Sequence, residues 1–125
     1  MVDDNRGRLD VSVEQYHAIL SVANLAEAID FYSNRLGFEH AFSWGDPPTM
    51  AGVNFGDTQI FLQAGTPNPA AAALYYVVAD AKSLYEFHRA HGVTVVQEPG
   101  DRDWDFHDYT VIDQDGYRLT FGHRL

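Results

Sequence analysis

The sequence predicts an α+β fold made of two copies of a β-α-β-β-β unit. Three observations predict it. A strand pattern leading into a helix pattern begins near residue 16 and begins again near residue 73. Each is followed by three short apolar segments set off by turn residues. Matching Val22 with Val78 brings Gly37 opposite Gly92 to within one residue, so both helices start and stop at the same spacing.

The first module covers residues 14–64. Residues 16–22 (YHAILSV) alternate as a strand, and Asn24 with Glu27 three positions on forms a capping box. Leu25, Ala28, Ile29, Tyr32 and Leu36 then fall on one helical face. Gly37 is the expected left-handed C-cap. Residues 38–44 (FEHAFSW), 50–55 (MAGVNF) and 58–64 (TQIFLQA) read as strands, separated by GDPP and GD turns. A Thr-Pro-Asn-Pro linker follows.

The second module covers residues 72–122, and the whole chain, 1–125, is read as one domain. Its first strand leads to Asp80 as N-cap, a helix with Leu84, Phe87 and His88 on one face, and Gly92 as C-cap. Strands are expected over residues 93–98, 106–112 and 117–122, the last two joined by the turn DQDG.

A strand period of two sorts the residues by face. Tyr16, Ala18, Leu20 and Val22 are assigned under the helix, and His17, Ile19 and Ser21 to the opposite, concave side. Ile60, Leu62, Leu119 and Phe121 go to the helix side. That leaves Gln59, Phe61 and Gln63, then Ala73, Tyr75 and Val77, and finally Arg118, Thr120 and Gly122, on the concave side.

A 125-residue chain with 46% hydrophobic residues suffices for one hydrophobic core. The net charge of −10 and the pI near 4.7 exclude nucleic acid, whose phosphates demand Lys and Arg, and anionic membranes. They favour a cationic or neutral small ligand, although solubility accounts for the larger share of an acidic surface. The polar N-terminus has no leader pattern, and the longest apolar run, residues 70–79, is too short to span a bilayer. A cytoplasmic location fits. With no cysteine there is no disulfide and no thiolate site. No Ser-His-Asp arrangement, phosphate-binding glycine loop or nucleotide fingerprint occurs.

Two separated stretches, residues 28–39 (AIDFYSNRLGFE) and 103–122 (DWDFHDYTVIDQDGYRLTFG), resemble the vicinal oxygen chelate superfamily. That superfamily includes glyoxalase I, extradiol dioxygenases and bleomycin-resistance proteins. The resemblance covers roughly residues 14–122 and implies paired modules whose curled mixed sheets form a cup, usually in homodimers. It also implies four metal-ligand positions, in the first and fourth strands of each module. His17 matches one of them, while Phe61, Ala73 and Thr120 occupy the others. Phe and Ala cannot coordinate and a neutral Thr is a poor ligand, so the expectation is no metal and no cofactor, with His17 as a remnant.

Within the superfamily the sequence is most similar to the bleomycin-resistance type, which sequesters a cationic, aromatic-bearing antibiotic. Trp104, Tyr109 and DQDG match its late motif, whereas Asp105 replaces a Gly and His107 an Arg. The expected ligand-binding residues are His17, Phe61, Tyr75, Trp44, Trp104, Gln63, Arg118 and Tyr109, with Gln59 and Ser21 as further hydrogen-bonding groups. Asp101, Asp103, Asp105 and Asp108 would attract a cation. His40, His88, His91, His107 and His123 are read as scattered surface histidines.

Three functions compete. The leading one is a non-catalytic small-molecule-binding homodimer. The alternative is a metal-dependent lyase, isomerase or dioxygenase with a displaced site using His17 and donors such as Gln63 or His107. The third is His17 acting alone as a general base beside Arg118.

Overall fold

The computed structural model describes residues 10–125, and the leaderless reading of the first nine residues lies outside the described residues. The element order is β1 (Ala18–Val22), α1 (Leu25–Asp30), β2 (Glu39–Trp44), β3 (Met50–Phe55) and β4 (Thr58–Ala64). A short 3-10 turn, Pro69–Ala71, occupies the linker. The series then repeats as β5 (Ala73–Val77), α2 (Ala81–Ala90), β6 (Thr94–Asp101), β7 (Phe106–Ile112) and β8 (Arg118–Arg124). The sheets have the equivalent orders β1-β4-β3-β2 and β5-β8-β7-β6. In each, the first strand runs parallel to the fourth and the rest are antiparallel. The α+β fold with two β-α-β-β-β modules is therefore as the repeat predicts.

Apolar rows on the inner face of each sheet explain the pairing. Leu20 and Ala51 both lie opposite Leu62, while Leu74 and Val111 both lie opposite Leu119. Shifting either register by one residue would turn these rows to water. The helices cover them. Asn24 caps α1 by accepting the Glu27 N–H at 3.0 Å, and Asp80 caps α2 by accepting the Ser83 N–H at 3.0 Å. Gly37 (φ +83°) and Gly92 (φ +72°) occupy left-handed positions after the helical segments.

Four local expectations need correction. The first helix does not stay α-helical to Leu36: residues Phe31–Arg35 form a π-helical segment, in which the Leu36 N–H donates to the Phe31 carbonyl at 3.0 Å. The wider turn lets Phe31, Tyr32 and Leu36 all be buried. Tyr16 precedes β1 and is 86% exposed rather than lying under the helix. β6 continues to Asp101 through two register shifts, although Pro99 and Gly100 look like a turn. β8 likewise runs to Arg124.

The inner faces of the two modules meet in one core. Phe55 packs edge-on against Tyr76 and Phe121 at 5.5 and 5.9 Å, and Phe38 against Tyr76 at 5.8 Å. Polar ties reinforce the seam. The Tyr32 hydroxyl donates to Asp113 at 2.7 Å. The Tyr117 hydroxyl donates to the Ser21 carbonyl at 2.8 Å and accepts the Asn68 N–H of the linker at 3.0 Å. Burial holds the Asp113 carboxyl above the usual carboxylate range, against the pull of the Tyr32 hydroxyl and the N–H groups of Asp115 and Tyr117.

His88 and Tyr109 belong to this core. His88 is fully buried, its Nε2–H donating to the Leu36 carbonyl at 3.0 Å and its Nδ1 lying 2.8 Å from the Tyr109 hydroxyl. The reading of His88 as a surface histidine is thus corrected: it joins α2 to the first module. His107 and His123 stack on each other with centroids 5.2 Å apart, partly enclosed on the helix side. His123 Nδ1 accepts the Ala81 N–H at the start of α2. His40 and His91 are exposed, as expected.

Candidate binding surface

With the inner faces consumed by the core, each sheet has one face left, and these outer faces differ. On the first, Ile19, Phe61, Gly52 and Phe42 line up across four strands. Phe61 is the centre. His17 stacks on one side of it at 4.5 Å and Phe42 meets it edge-on at 5.8 Å. Phe42 reaches inward because Gly52 has no side chain: a Cβ there would overlap the Phe42 ring. The next row holds Ser21, Gln63, Met50 and Trp44, with Trp44 at the β2 edge and 69% exposed.

His17 is half-buried at one end of this face. Its Nδ1–H donates to the Gln59 carbonyl at 2.9 Å, and Nε2 meets the Gln15 side-chain amide at 2.8 Å. Beside it a groove of about 380 Å³ is lined by Glu14, Tyr16, Asn54 and Gln59 among others.

The second outer face is polar. Tyr75, Thr120, Thr110 and Gln97 form one row. The Thr110 hydroxyl lies 2.7 Å from that of Thr120 and donates to Gln97 at 3.3 Å. In the adjacent row Asp108 is buried, accepting from the Tyr75 hydroxyl at 2.7 Å and from Arg102 Nε at 2.8 Å. Desolvation and the hydrogen bond to Asp108 raise the Tyr75 phenol above its ordinary value, while Trp104 and Arg102 pull it back. Tyr75 is 47% exposed and Trp104 59%. Arg118 is exposed in the row of Ala73 and Ile112.

The expected site residues therefore divide. His17, Phe61, Gln63 and Trp44 share the first outer face, and Tyr75, Arg118 and Trp104 belong to the second module. Among the described residues no aromatic contact joins one outer face to the other. These residues thus lie on two separate outer faces and do not line one enclosed cup. Tyr109 belongs to neither. It is fully buried on the inner face, where enclosure and its bond to His88 keep it from a ligand. Asp108 is also no free lure for a cation, because Arg102 neutralises it, and Asp101 is paired with His107 at 2.9 Å.

The four family metal positions do not fit a divalent ion. Phe61 and Ala73 offer no donor, and Thr120 is bonded to Thr110. Both ring nitrogens of His17 have protein partners. No group of three or more His, Asp or Glu side chains converges among the described residues.

Phe42, Gly52, Arg102 and Thr110 were not found from sequence. A bulge between His40 and Phe42 hid the facing of β2. Arg102 reaches the face from a loop, where alternation gives no direction.

Comparison with known proteins agrees with this architecture. TioX from Micromonospora sp. ML1 superposes with a TM-score of 0.77 at 18% identity, covering 90% of this chain and 100% of that one. TnmS3, an antibiotic binding protein from Streptomyces sp. CB03234, gives 0.79 at 20% identity, covering 94% of this chain and 100% of that one. A superfamily member from Sphaerobacter thermophilus DSM 20745 gives 0.75 at 22% identity, over 93% and 100%. At such identities the likeness shows the fold. Among curated proteins nothing matches. The sequence itself matches a family description over residues 15–121, a span that includes both modules, and the chain belongs to the Glyoxalase/Bleomycin resistance protein/Dioxygenase superfamily.

Proposed function

We propose that this protein is a metal-free small-molecule-binding protein of the bleomycin-resistance type, which sequesters a cationic or aromatic drug or metabolite without chemistry. The observation that carries this reading is the outer face around Phe61. It offers an apolar platform, with Phe42 and exposed Trp44 on the same face, and Phe61 stands where a metal enzyme of the family needs a donor. Stacking on such rings is worth about 0.5–1.5 kcal/mol per pair beyond area burial.

A homodimer supplies the rest. In it the first outer face of one copy stands opposite the second outer face of the other, so Phe61, Trp44, His17 and Gln63 face the partner's Tyr75, Trp104 and Arg118 across a groove. The net charge of −10 adds long-range attraction for a cation. The likeness to TnmS3, an antibiotic binding protein, at 20% identity over 94% of this chain, supports the ligand class.

Intrinsic fluorescence tests the proposal, since both tryptophans lie on the proposed groove. Titrating planar cationic aromatics into the purified protein gives saturable quenching at one ligand per groove. Absence of saturable quenching across the panel, together with stoichiometric uptake of Ni, Zn, Mn or Fe(II), would replace this reading with the enzymatic one.

A further inference from the structure

Trp104 is exposed on a loop whose sequence, RDWD, contains nothing apolar to hold it. Yet the loop is tied down at every turn. The Arg102 N–H donates to the Phe106 carbonyl at 2.7 Å, the Asp105 N–H to the Arg102 carbonyl at 3.1 Å, and the Leu125 N–H to the Asp105 carbonyl at 2.9 Å. Asp105 adopts a left-handed backbone at φ +65°.

The side chain of Arg102 then turns back under the loop. Nε donates to Asp108 Oδ1 at 2.8 Å, and Nη2 donates to the carbonyls of Glu98 at 2.8 Å and Asp108 at 3.1 Å. The second oxygen of Asp108 takes the Tyr75 hydroxyl. Two glycines make room for this. A Cβ on Gly100 would stand 2.8 Å from Arg102 Nη1, and one on Gly122 would stand 2.7 Å from the Tyr75 hydroxyl and 2.8 Å from Asp108 Cβ. A planar, always-charged fork is the group suited to three directional bonds from one side chain.

We infer that Arg102 is a positioning residue: through Asp108 it locks the loop carrying Trp104 and the hydroxyl of Tyr75 into one arrangement, so that both aromatic rings are preset for ligand. The part concerning ligand rests on the binding function proposed above. The part concerning the loop does not. Presetting a recognition side chain removes an ordering cost that binding would otherwise bear.

The experiment uses a Trp44→Phe background, in which Trp104 is the sole tryptophan. Arg102→Lys keeps the charge and loses the fork. Arg102→Met with Asp108→Asn removes both charges together, and so stays informative if the single variant, left with a buried carboxylate poorly paired, does not fold. Folding of each is checked by circular dichroism. Without ligand, the acrylamide quenching constant of Trp104 should rise roughly two-fold in the folded variants, with lower anisotropy, as expected for local opening.

With the planar cation ethidium as probe, and with Trp44 retained because it belongs to the proposed groove, affinity should weaken about ten-fold, the scale of one lost anchor. Unchanged quenching and anisotropy in the folded double variant would overturn the inference. A loosened Trp104 with unchanged ethidium affinity would overturn its ligand half. A loosened Trp104 in a parent protein that binds no planar cation would uphold the clamp and remove the binding function.

Discussion

His88 carries the clearest chemical consequence at the residue scale. Its Nε2–H is committed to a backbone carbonyl, so the neutral ring needs Nδ1 as acceptor for Tyr109. Burial pushes its pKa below the ordinary 6.5, and the neighbouring His91 adds to that. Because the folded value is depressed, the unfolded chain takes up a proton first as pH falls. The contribution of His88 to stability is therefore fully present above about 6.5 and is lost on acidification toward the folded value. His88→Gln should cost about 1–3 kcal/mol at pH 7 through the disturbed bonds. It should also flatten the fall in Tm between pH 7 and pH 5.5. A thermal melt series showing the parent's full acid slope in the variant would contradict this.

The sequence alone could not place Tyr109 in the core, for a reason specific to β7. Its residues 106–112 alternate poorly because both faces are covered: Tyr109 and Val111 by the core, Asp108 and Thr110 by Arg102, Gln97 and Thr120. A strand covered on both sides carries no in-out signal. The motif match at Tyr109 identified a position of the fold, and that position lies in the core.

At the scale of elements, strand bounds were legible where turn residues set them off, whether or not the facing was. The bounds of β3, β4 and β7 agree with the sequence reading, since turn residues flank them, and the caps at Asn24 and Asp80 fall where expected. Period two puts Ile19 and Phe61 on one face of β1 and β4, and His17, just before β1, stacks on Phe61 there. The π-helical segment left no trace in a helical wheel that already looked continuous. The bulge in β2 hid Phe42 in the same way.

Gly52 makes that bulged strand testable. It is buried, and Phe42 fills the space a Cβ would need. In Gly52→Ala the new methyl must displace the Phe42 ring from Phe61, because β3 is paired on both edges and cannot yield. Overpacking of this kind costs about 1–3 kcal/mol. A loss of Tm in that range, with weaker binding of planar cations, is expected. Gly52→Ala with Phe42→Ala should recover much of the stability, since the obstructing ring is gone, while binding stays weak. Equal losses in the single and double variants would show that the strain lies elsewhere.

At the scale of the molecule, the repeat made the architecture readable, but it could not say how the modules face each other. Each helix side is amphipathic by itself, and only contacts such as Phe55 on Phe121 reveal that the inner faces meet. The outcome leaves Ile19, Trp44, Tyr75, Val77 and Trp104 on the open faces, each about half exposed or more. Such exposure is what the proposed pairing of faces would cover. The proposed homodimer makes a prediction in which two forces oppose each other. Burying these faces favours association, while two chains of charge −10 repel. Salt screens the repulsion, with a Debye length falling from about 30 Å at 0.01 M to about 10 Å at 0.1 M, and leaves apolar burial intact. Sedimentation equilibrium should therefore give twice the 14.0 kDa chain mass, with a dissociation constant that tightens as sodium chloride rises over that interval. Ile19→Asp should shift the population to 14.0 kDa with secondary structure retained, because that side chain stands outside the core. A dimer that weakens with added salt would mean that ion pairs hold it. A monomer at all salt concentrations would leave each outer face open and remove the shared groove.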